Sequence, residues 1–207
     1  MHKSYFRATM DFSQYFMGDS TAESSQLRQL LTQVKSMRVM KGQVLQHSGD
    51  ELKHAYFVKE GLLRSYSIDE KGKEHIYMFA PEGWIISDIQ STAMQQPAVL
   101  TIDSLEDSEI EFIRADIFEE LVNKHMGSHP DFARLELNRL LRRVAVLQKR
   151  VLLLLSATAT ERYQEFVLTY PSLQQRVSQR QIASYLGITP EALSRLRVEI
   201  LKTQRKG

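Results

Sequence analysis

Between Lys35 and Arg114 apolar and polar residues alternate with a period of two, and turn residues break the alternation every few positions. Successive side chains in a strand point to opposite faces, so this pattern predicts strands. Eight are expected: Ser36–Met40, Gln43–His47, His54–Lys59, Leu62–Ile68, Lys73–Phe79, Trp84–Ile86, Ala98–Asp103 and Glu109–Ile113. The breaks between them include Lys41-Gly42, Ser48-Gly49-Asp50, Glu60-Gly61, Asp69-Glu70-Lys71-Gly72, Pro81-Glu82-Gly83 and Gln95-Gln96-Pro97, each with a residue suited to a turn. Strands this short and evenly spaced predict a jelly roll or small barrel, filled by its own side chains or holding one small ligand. Before them, Ser13 to about Val34 is weakly helical, interrupted at Gly18–Thr21, with a second helix expected over Glu23–Leu31. After them, Asp116–Met126 predicts a short helix with Asp116 as N-cap and Ile117, Phe118, Leu121 and Val122 inward.

From Pro130 to about Ser156 the period lengthens. Ala133, Leu137, Leu140, Val144, Leu147, Val151 and Leu154 recur at spacings of four and three, a heptad seam, and Leu141, Ala145, Leu152 and Leu155 form a second stripe. A helix of this length spans roughly 39 Å at 1.5 Å per residue. It is either an ordinary core helix or, as expected here, a two-fold dimer helix whose other stripe packs on the barrel, since two apolar faces need two partners. Ala157–Tyr170 predicts a further amphipathic helix, with Tyr163, Phe166 and Val167 inward, stopped by Pro171.

The stretch Gln179–Lys202 fits a helix-turn-helix template. Ile182 and Leu186 share one face of a first helix, Ala183 allows close helix approach, and Gly187 sits at the turn, where a left-handed conformation ends the helix. Thr189 is expected as N-cap and Pro190 as first helical residue, with Glu191 at the positive end of the helix dipole. Leu193, Leu196 and Ile200 continue the apolar stripe while Glu191, Ser194, Arg195 and Lys202 face away. A helical hairpin inside a larger fold is the plain alternative. The basic tail Lys202, Arg205 and Lys206 favours DNA.

Charge distribution sharpens this. The formal net charge is only +2, but residues 157–207 hold eight Lys/Arg against four Asp/Glu, and the remainder holds nineteen against twenty-one. One basic module for a polyanion and one near-neutral module for something else are implied. Hydrophobic content of 43% suffices for a packed core across the 207 residues. The absence of cysteine excludes disulfides, cysteine-ligated clusters and thiolate chemistry. No signal peptide and no run of eighteen apolar residues are visible, so a soluble cytoplasmic protein without membrane partners is expected.

Ile182-Ala183-Ser184-Tyr185-Leu186-Gly187-Ile188-Thr189-Pro190-Glu191-Ala192-Leu193-Ser194-Arg195, together with the order barrel, long helix, helix pair, resembles the Crp–Fnr transcription regulators over nearly the whole chain. The resemblance implies an α+β chain in three parts. Residues 1–127 would be a jelly-roll (double-stranded β-helix) sensor like a cyclic-nucleotide-binding domain, and 128–156 a dimerisation helix with Leu137, Leu140, Val144, Leu147, Val151 and Leu154 at the interface. Residues 157–207 would be an all-α, winged-helix-like helix-turn-helix domain. The β-hairpin wing that often follows the second helix is not expected, since no evident segment for it is read before Gly207. A homodimer on a pseudo-palindromic double-stranded DNA site is implied, its docking geometry being that of the family's well-known helix-turn-helix member. Glu191 and Arg195 match base-reading positions, Arg195 suited to guanine and Glu191 to a cytosine amine. The DNA-facing set is Arg180, Thr189, Glu191, Ser194, Arg195, Arg197 and Lys202. Pro190 stands where a basic base-reading residue is common, which alters the expected site. Activation would add RNA polymerase as a partner, though no motif marks a patch for it.

Cyclic-nucleotide-binding members carry a Gly-Glu followed by Arg-Ser or Arg-Thr. The matching run here is Gly83-Trp84-Ile85-Ile86-Ser87-Asp88, then Gln95-Gln96-Pro97-Ala98. Asp88 shortens the Glu and Pro97 replaces the Arg, and a buried phosphate without a cation is costly. Ordinary cAMP binding is therefore not expected. Another small effector is, with Tyr77, Trp84, Asp88, Val99, Leu141 and Arg142 as candidate lining, the alternative being plain barrel core. No resident cofactor or metal is assigned, and His47, His54 and His75 read as ordinary barrel histidines. Two other readings remain. One is a constitutive DNA-binding dimer with a vestigial barrel. The other is a cupin-like enzyme, disfavoured because no His-x-His metal cluster, nucleophile elbow or phosphate-cradling loop occurs.

Overall fold

The computed structural model describes residues 11–17, 29–51, 53–128 and 130–204. The helix expected over Glu23–Leu31 lies mostly outside these, with 29–31 helical, and the tail Arg205 and Lys206 lies wholly outside. The chain divides into two compact units, Met1–Ser67 with Tyr77–Ala133, and Ile68–Ile76 with Arg134–Gly207.

The first unit is built on eight strands: β1 (Lys35–Val39), β2 (Val44–Gln46), β3 (His54–Glu60), β4 (Leu63–Ile68), β5 (Glu74–Ala80), β6 (Ile85–Ile86), β7 (Thr101–Ser104) and β8 (Ser108–Arg114). They form two four-stranded sheets, ordered β1-β8-β3-β6 and β2-β7-β4-β5, with antiparallel pairing. One core lies between the sheets, with Val39, Tyr56, Val58, Ile86 and Ile110 from the first and Leu63, Ala80 and Ile102 from the second. The other face of β3 is covered as well. Ala55 and Phe57 join Phe12 of α1 (Phe12–Met17), Leu30, and Leu121 of α3 (Ala115–Ser128) in a second core. Burial on both faces is why β3 reads as a near-continuous apolar run. Phe12 meets Phe57 edge-on at 6.2 Å, and its backbone N–H donates to Glu111 at 2.7 Å, fixing α1 on the sheet. Asp116 lies in the first turn of α3 and not before it, paired with Arg114.

Two features of this unit were not expected from the pattern. A short helix, α2 (Ile89–Met94), follows β6. On the sheet face opposite Leu63 and Ile102, Arg64 and Asp103 stand opposite each other in register and pair bidentately at 2.8 and 2.9 Å, both buried. At Gly61, φ is +98° and a Cβ would stand 2.1 Å from the Ser108 hydroxyl, so backbone conformation and space both require glycine.

The second unit is helical: α4 (Pro130–Ser156), α5 (Ala159–Thr169), α6 (Leu173–Arg176), α7 (Gln179–Leu186) and α8 (Pro190–Gln204). Thr158 and Glu161 close a reciprocal capping box at the start of α5. Among the described residues, α5 to α8 and their connections bury Tyr163, Phe166, Tyr170, Leu173, Val177, Ile182, Ala183, Leu186, Leu193 and Leu196. Phe166, Tyr170 and Tyr185 meet with ring centroids 5.5 to 5.7 Å apart. The segment Ile68–Ile76 also belongs here. The Ser184 hydroxyl donates to the Glu74 carbonyl at 2.6 Å and accepts from the Ile76 N–H at 3.1 Å.

Candidate nucleic-acid interface

Ser178 caps α7 by accepting from the Gln181 N–H, and the Gln181 side chain returns a bond to the Ser178 N–H. Four residues further the apolar stripe begins, and Ile182, Ala183 and Leu186 are buried. Gly187 ends the helix at φ 68° and ψ 33°. The Ile188 N–H then reaches back to the Ala183 carbonyl at 3.0 Å, closing the left-handed turn. A Cβ at Gly187 would meet Leu154 and Arg162 at ordinary contact distances of 3.5 and 3.7 Å, so conformation alone selects glycine here. Thr189 opens α8, its hydroxyl accepting from the Ala192 N–H at 3.2 Å and its carbonyl from the Leu193 N–H at 3.0 Å.

Leu193 and Leu196 are buried, which fixes the rotation of α8 about its axis. Glu191, Ser194, Arg195 and Lys202 are exposed. Glu191, Arg195 and Lys202 fall along one line of that outer face, with Ser194 beside them. The Glu191 carboxyl is held below the usual glutamate range by its own backbone N–H, then by the Thr189 hydroxyl and the Arg195 charge. Thr189 is exposed at the start of α8 and Arg180 in the first turn of α7. Arg197 is half-buried, two residues round the helix from Arg195 and beside the apolar stripe, and so stands apart from the outer row. Val198 and Leu201 are exposed among the polar residues of α8.

In the first unit, Asp88 is fully buried and its carboxylate accepts three backbone N–H groups: Ser91 at 3.1 Å, Val99 at 2.7 Å and Leu100 at 2.9 Å. It thus caps α2 and clamps the chain just past Pro97. Trp84 packs against the core between the sheets, Val99 is half-buried, and Tyr77 is 38% exposed. Leu141 belongs to the second unit and is exposed, and the Arg142 side chain lies outside the described residues. Among the described residues no three His, Cys, Asp or Glu side chains stand together as metal ligands, and no helix is long and apolar enough to cross a membrane.

Residues 36–125 match the model of the cyclic nucleotide-binding domain. The chain is 31% identical over 189 residues to the fumarate and nitrate reduction regulatory protein of Vibrio cholerae, covering 84% of this chain and 71% of that one. The chain belongs to the Crp–Fnr family of transcription regulators. A second relative, regulatory protein HlyX of Actinobacillus pleuropneumoniae, is 30% identical over 188 residues, 86% of this chain and 75% of its own. The solved structure of FixK2 from Bradyrhizobium japonicum shares the fold, with a TM-score of 0.67 and 22% identity over 83% of this chain and 85% of that one. The Crp–Fnr relatives are named as regulators and not as enzymes.

Several side chains that position this Crp–Fnr chain's helix pair carry no sequence motif. Arg162 of α5 donates to the Leu186 carbonyl at 3.0 Å, at the negative end of α7. Arg150 of α4 lies 4.1 Å over the Tyr185 ring and donates to the Tyr185 carbonyl at 3.2 Å. Their periodicity places them at the border of the apolar stripes, but their targets are backbone carbonyls distant in sequence, which no local pattern announces.

Proposed function

We infer that this Crp–Fnr regulator acts as a homodimer on a specific DNA site. The outward row of α8 carries the inference: Glu191, Ser194 and Arg195 are exposed on the N-terminal half of a helix whose rotation is set by buried Leu193 and Leu196. In a helix-turn-helix this half enters the major groove. Arg195 fits a guanine edge and Glu191 a cytosine amine, while Arg180, Thr189, Ser194 and Lys202 reach phosphates, with Arg197 at the margin. On this reading residues 157–207 are the DNA-binding domain, 128–156 the dimer helix, and 1–127 a jelly-roll sensor.

The dimer is supported by α4. Leu137, Leu140, Val144, Leu147, Val151 and Leu154 are between 37% and 56% exposed in the single chain and recur as a heptad seam. A second copy of α4 is the occupant that this spacing fits. Two-fold symmetry then sets half-sites ~34 Å apart, about one turn of DNA.

Asp88 bears on the sensor. Its carboxylate already fills the cluster of backbone N–H groups at the position corresponding to the family's phosphate cassette. A cyclic nucleotide would bring a second anion there with no arginine to receive it, so cAMP does not act in the usual way. Either another small effector acts on the sensor, or the protein binds DNA constitutively and the sheets serve as scaffold. Relatives named for the regulation of fumarate and nitrate reduction suggest control of such reduction genes as the physiological setting. RNA polymerase is the further partner if the protein activates.

The test is selection of binding sites from random duplexes, followed by titration of Arg195→Ala. A pseudo-palindrome is expected for the wild type. The variant should lose ~1–3 kcal/mol and relax its preference at one base pair of each half-site. Equal loss on every sequence would show that Arg195 does not read a base.

A further inference from the structure

The exposed face of α8 mixes charged residues with an apolar one. Val198 is 49% exposed, and its place on the helix carries the inference. Seven residues make almost two full turns, so Val198 lies about 20° from the line that runs along the axis through Glu191. Arg195 and Lys202 bracket it on that line. Glu191, Ser194, Arg195 and Val198 are therefore the first, fourth, fifth and eighth positions of one face, and all four are exposed. A homeodomain's recognition helix reads bases from four residues at these same intervals. Leu201 is exposed too, but it lies about 80° off the line, on the flank between Ser194 and half-buried Arg197.

A valine side chain has no donor and no acceptor, so it holds no phosphate and pairs with no polar base edge. Pressed against an amino group or a carbonyl oxygen, it would strip that group of water and leave it unmatched. Of the groups that the base pairs present in the major groove, one is apolar, the C5-methyl of thymine. That methyl and the valine branch cover each other without orphaning a polar atom. Val198 stands three residues past Arg195, ~4.5 Å farther along the helix axis, close to one base step of ~3.4 Å. We propose that Val198 is a specificity-determining residue that selects thymine, through its methyl group, at the base pair next to the one read by Arg195. The proposal rests on the DNA-binding reading and deepens it. Arg195 and Glu191 choose hydrogen-bonding edges, and Val198 adds an apolar choice beside them. Its surface is continuous with their row, so the duplex that covers the row covers Val198 as well.

The experiment uses the full chain and the site recovered by selection, with the Arg195 base pair located by the relaxed preference of Arg195→Ala. Each thymine of the half-site is replaced in turn by deoxyuridine, which lacks only the methyl, in both half-sites at once, and Kd is measured. The wild type should weaken at one position, beside the Arg195 pair, by about fourfold per half-site, the effect of burying one methyl-sized group. Val198→Ala should bind the thymine site more weakly than the wild type. Its shortened side chain leaves a gap, so it should distinguish thymine from uracil there by less than about twofold. Leu201→Ala should keep the wild-type preference, with circular dichroism confirming the fold of both variants. Specific binding that tolerates uracil at every position, a selected site with no thymine next to the Arg195 pair, or a thymine preference undiminished in Val198→Ala would overturn this proposal alone. Binding with no sequence preference would sink the DNA-binding reading and the proposal with it.

Discussion

Replacing Asp88 by alanine should cost more than any other single carboxylate removal outside the Arg64 pair. The side chain is fully buried and holds three backbone N–H groups, one through Oδ1 and two through Oδ2. A hydrogen bond to a charged group contributes ~1.5–3 kcal/mol net, so three set an upper bound of ~4.5–9 kcal/mol by that range. Partial rehydration of the exposed N–H groups lowers this, and ~4 kcal/mol is expected, a loss in the far tail of point substitutions. Asparagine separates the two oxygens. Its carbonyl can serve Val99 and Leu100, but its amide cannot accept from Ser91, so only the α2 cap is lost, at ~1–2 kcal/mol. The single tryptophan makes the assay direct, because Trp84 packs against the core of the same unit and reports its unfolding in urea. An alanine variant within ~1 kcal/mol of wild type, on that scale, would refute the view that Asp88 organises this corner. So would an asparagine variant as unstable as the alanine one.

Three further outcomes are expected. Val144→Asp should halve the sedimentation mass and abolish operator binding, because it places a carboxylate on the seam of α4; an unchanged mass refutes the seam. Asp103→Ala should destabilise the first unit by ~3–5 kcal/mol by leaving a buried guanidinium without its carboxylate; a Trp84 urea melt within experimental error of wild type would count against it. His54 is held below the ordinary imidazole value by burial first, then by the charges of Lys53, Lys35 and Arg114. The unfolded chain therefore takes up a proton before the folded one. Stability falls as the pH drops below 6.5, the ordinary imidazole value, and the loss is complete below the folded value. Carboxylates with lowered values are already ionised in that window. His54→Gln should flatten the fall in Tm between about pH 7.5 and about pH 5.5, and equal falls in both proteins would exclude His54 as its source.

Most of the strands were legible because turn residues bound each apolar run, and in β5 and β8 buried and more open positions still interleave. The long helix was legible from its spacing, and the helix pair because spacing, glycine and cap agree at Gly187 and Thr189, while the Ser178 cap emerged only in the structure. What escaped depends on partners remote in the chain. The Asp88-to-Ser91 spacing is an N-cap signature that reads equally as a ligand cassette, so α2 went unrecognised. Arg64 and Asp103 look solvent-facing until β4 and β7 are paired. Arg197 belongs by type with Arg195, but two residues turn it toward Leu193 and Leu196. Tyr77 and Leu141, read as pocket lining, are both exposed.

The apolar side chains that α4 leaves to solvent bear on how the protein is made. A lone copy leaves Leu137, Leu140, Val144 and Val151 more than half uncovered, and such a surface favours collapse or adventitious association until it is covered. On the dimer reading, folding completes only at encounter, and the melting temperature rises with protein concentration. Dilution then becomes a hazard to the molecule, and the cell's copy number helps decide how long each newly synthesised chain survives.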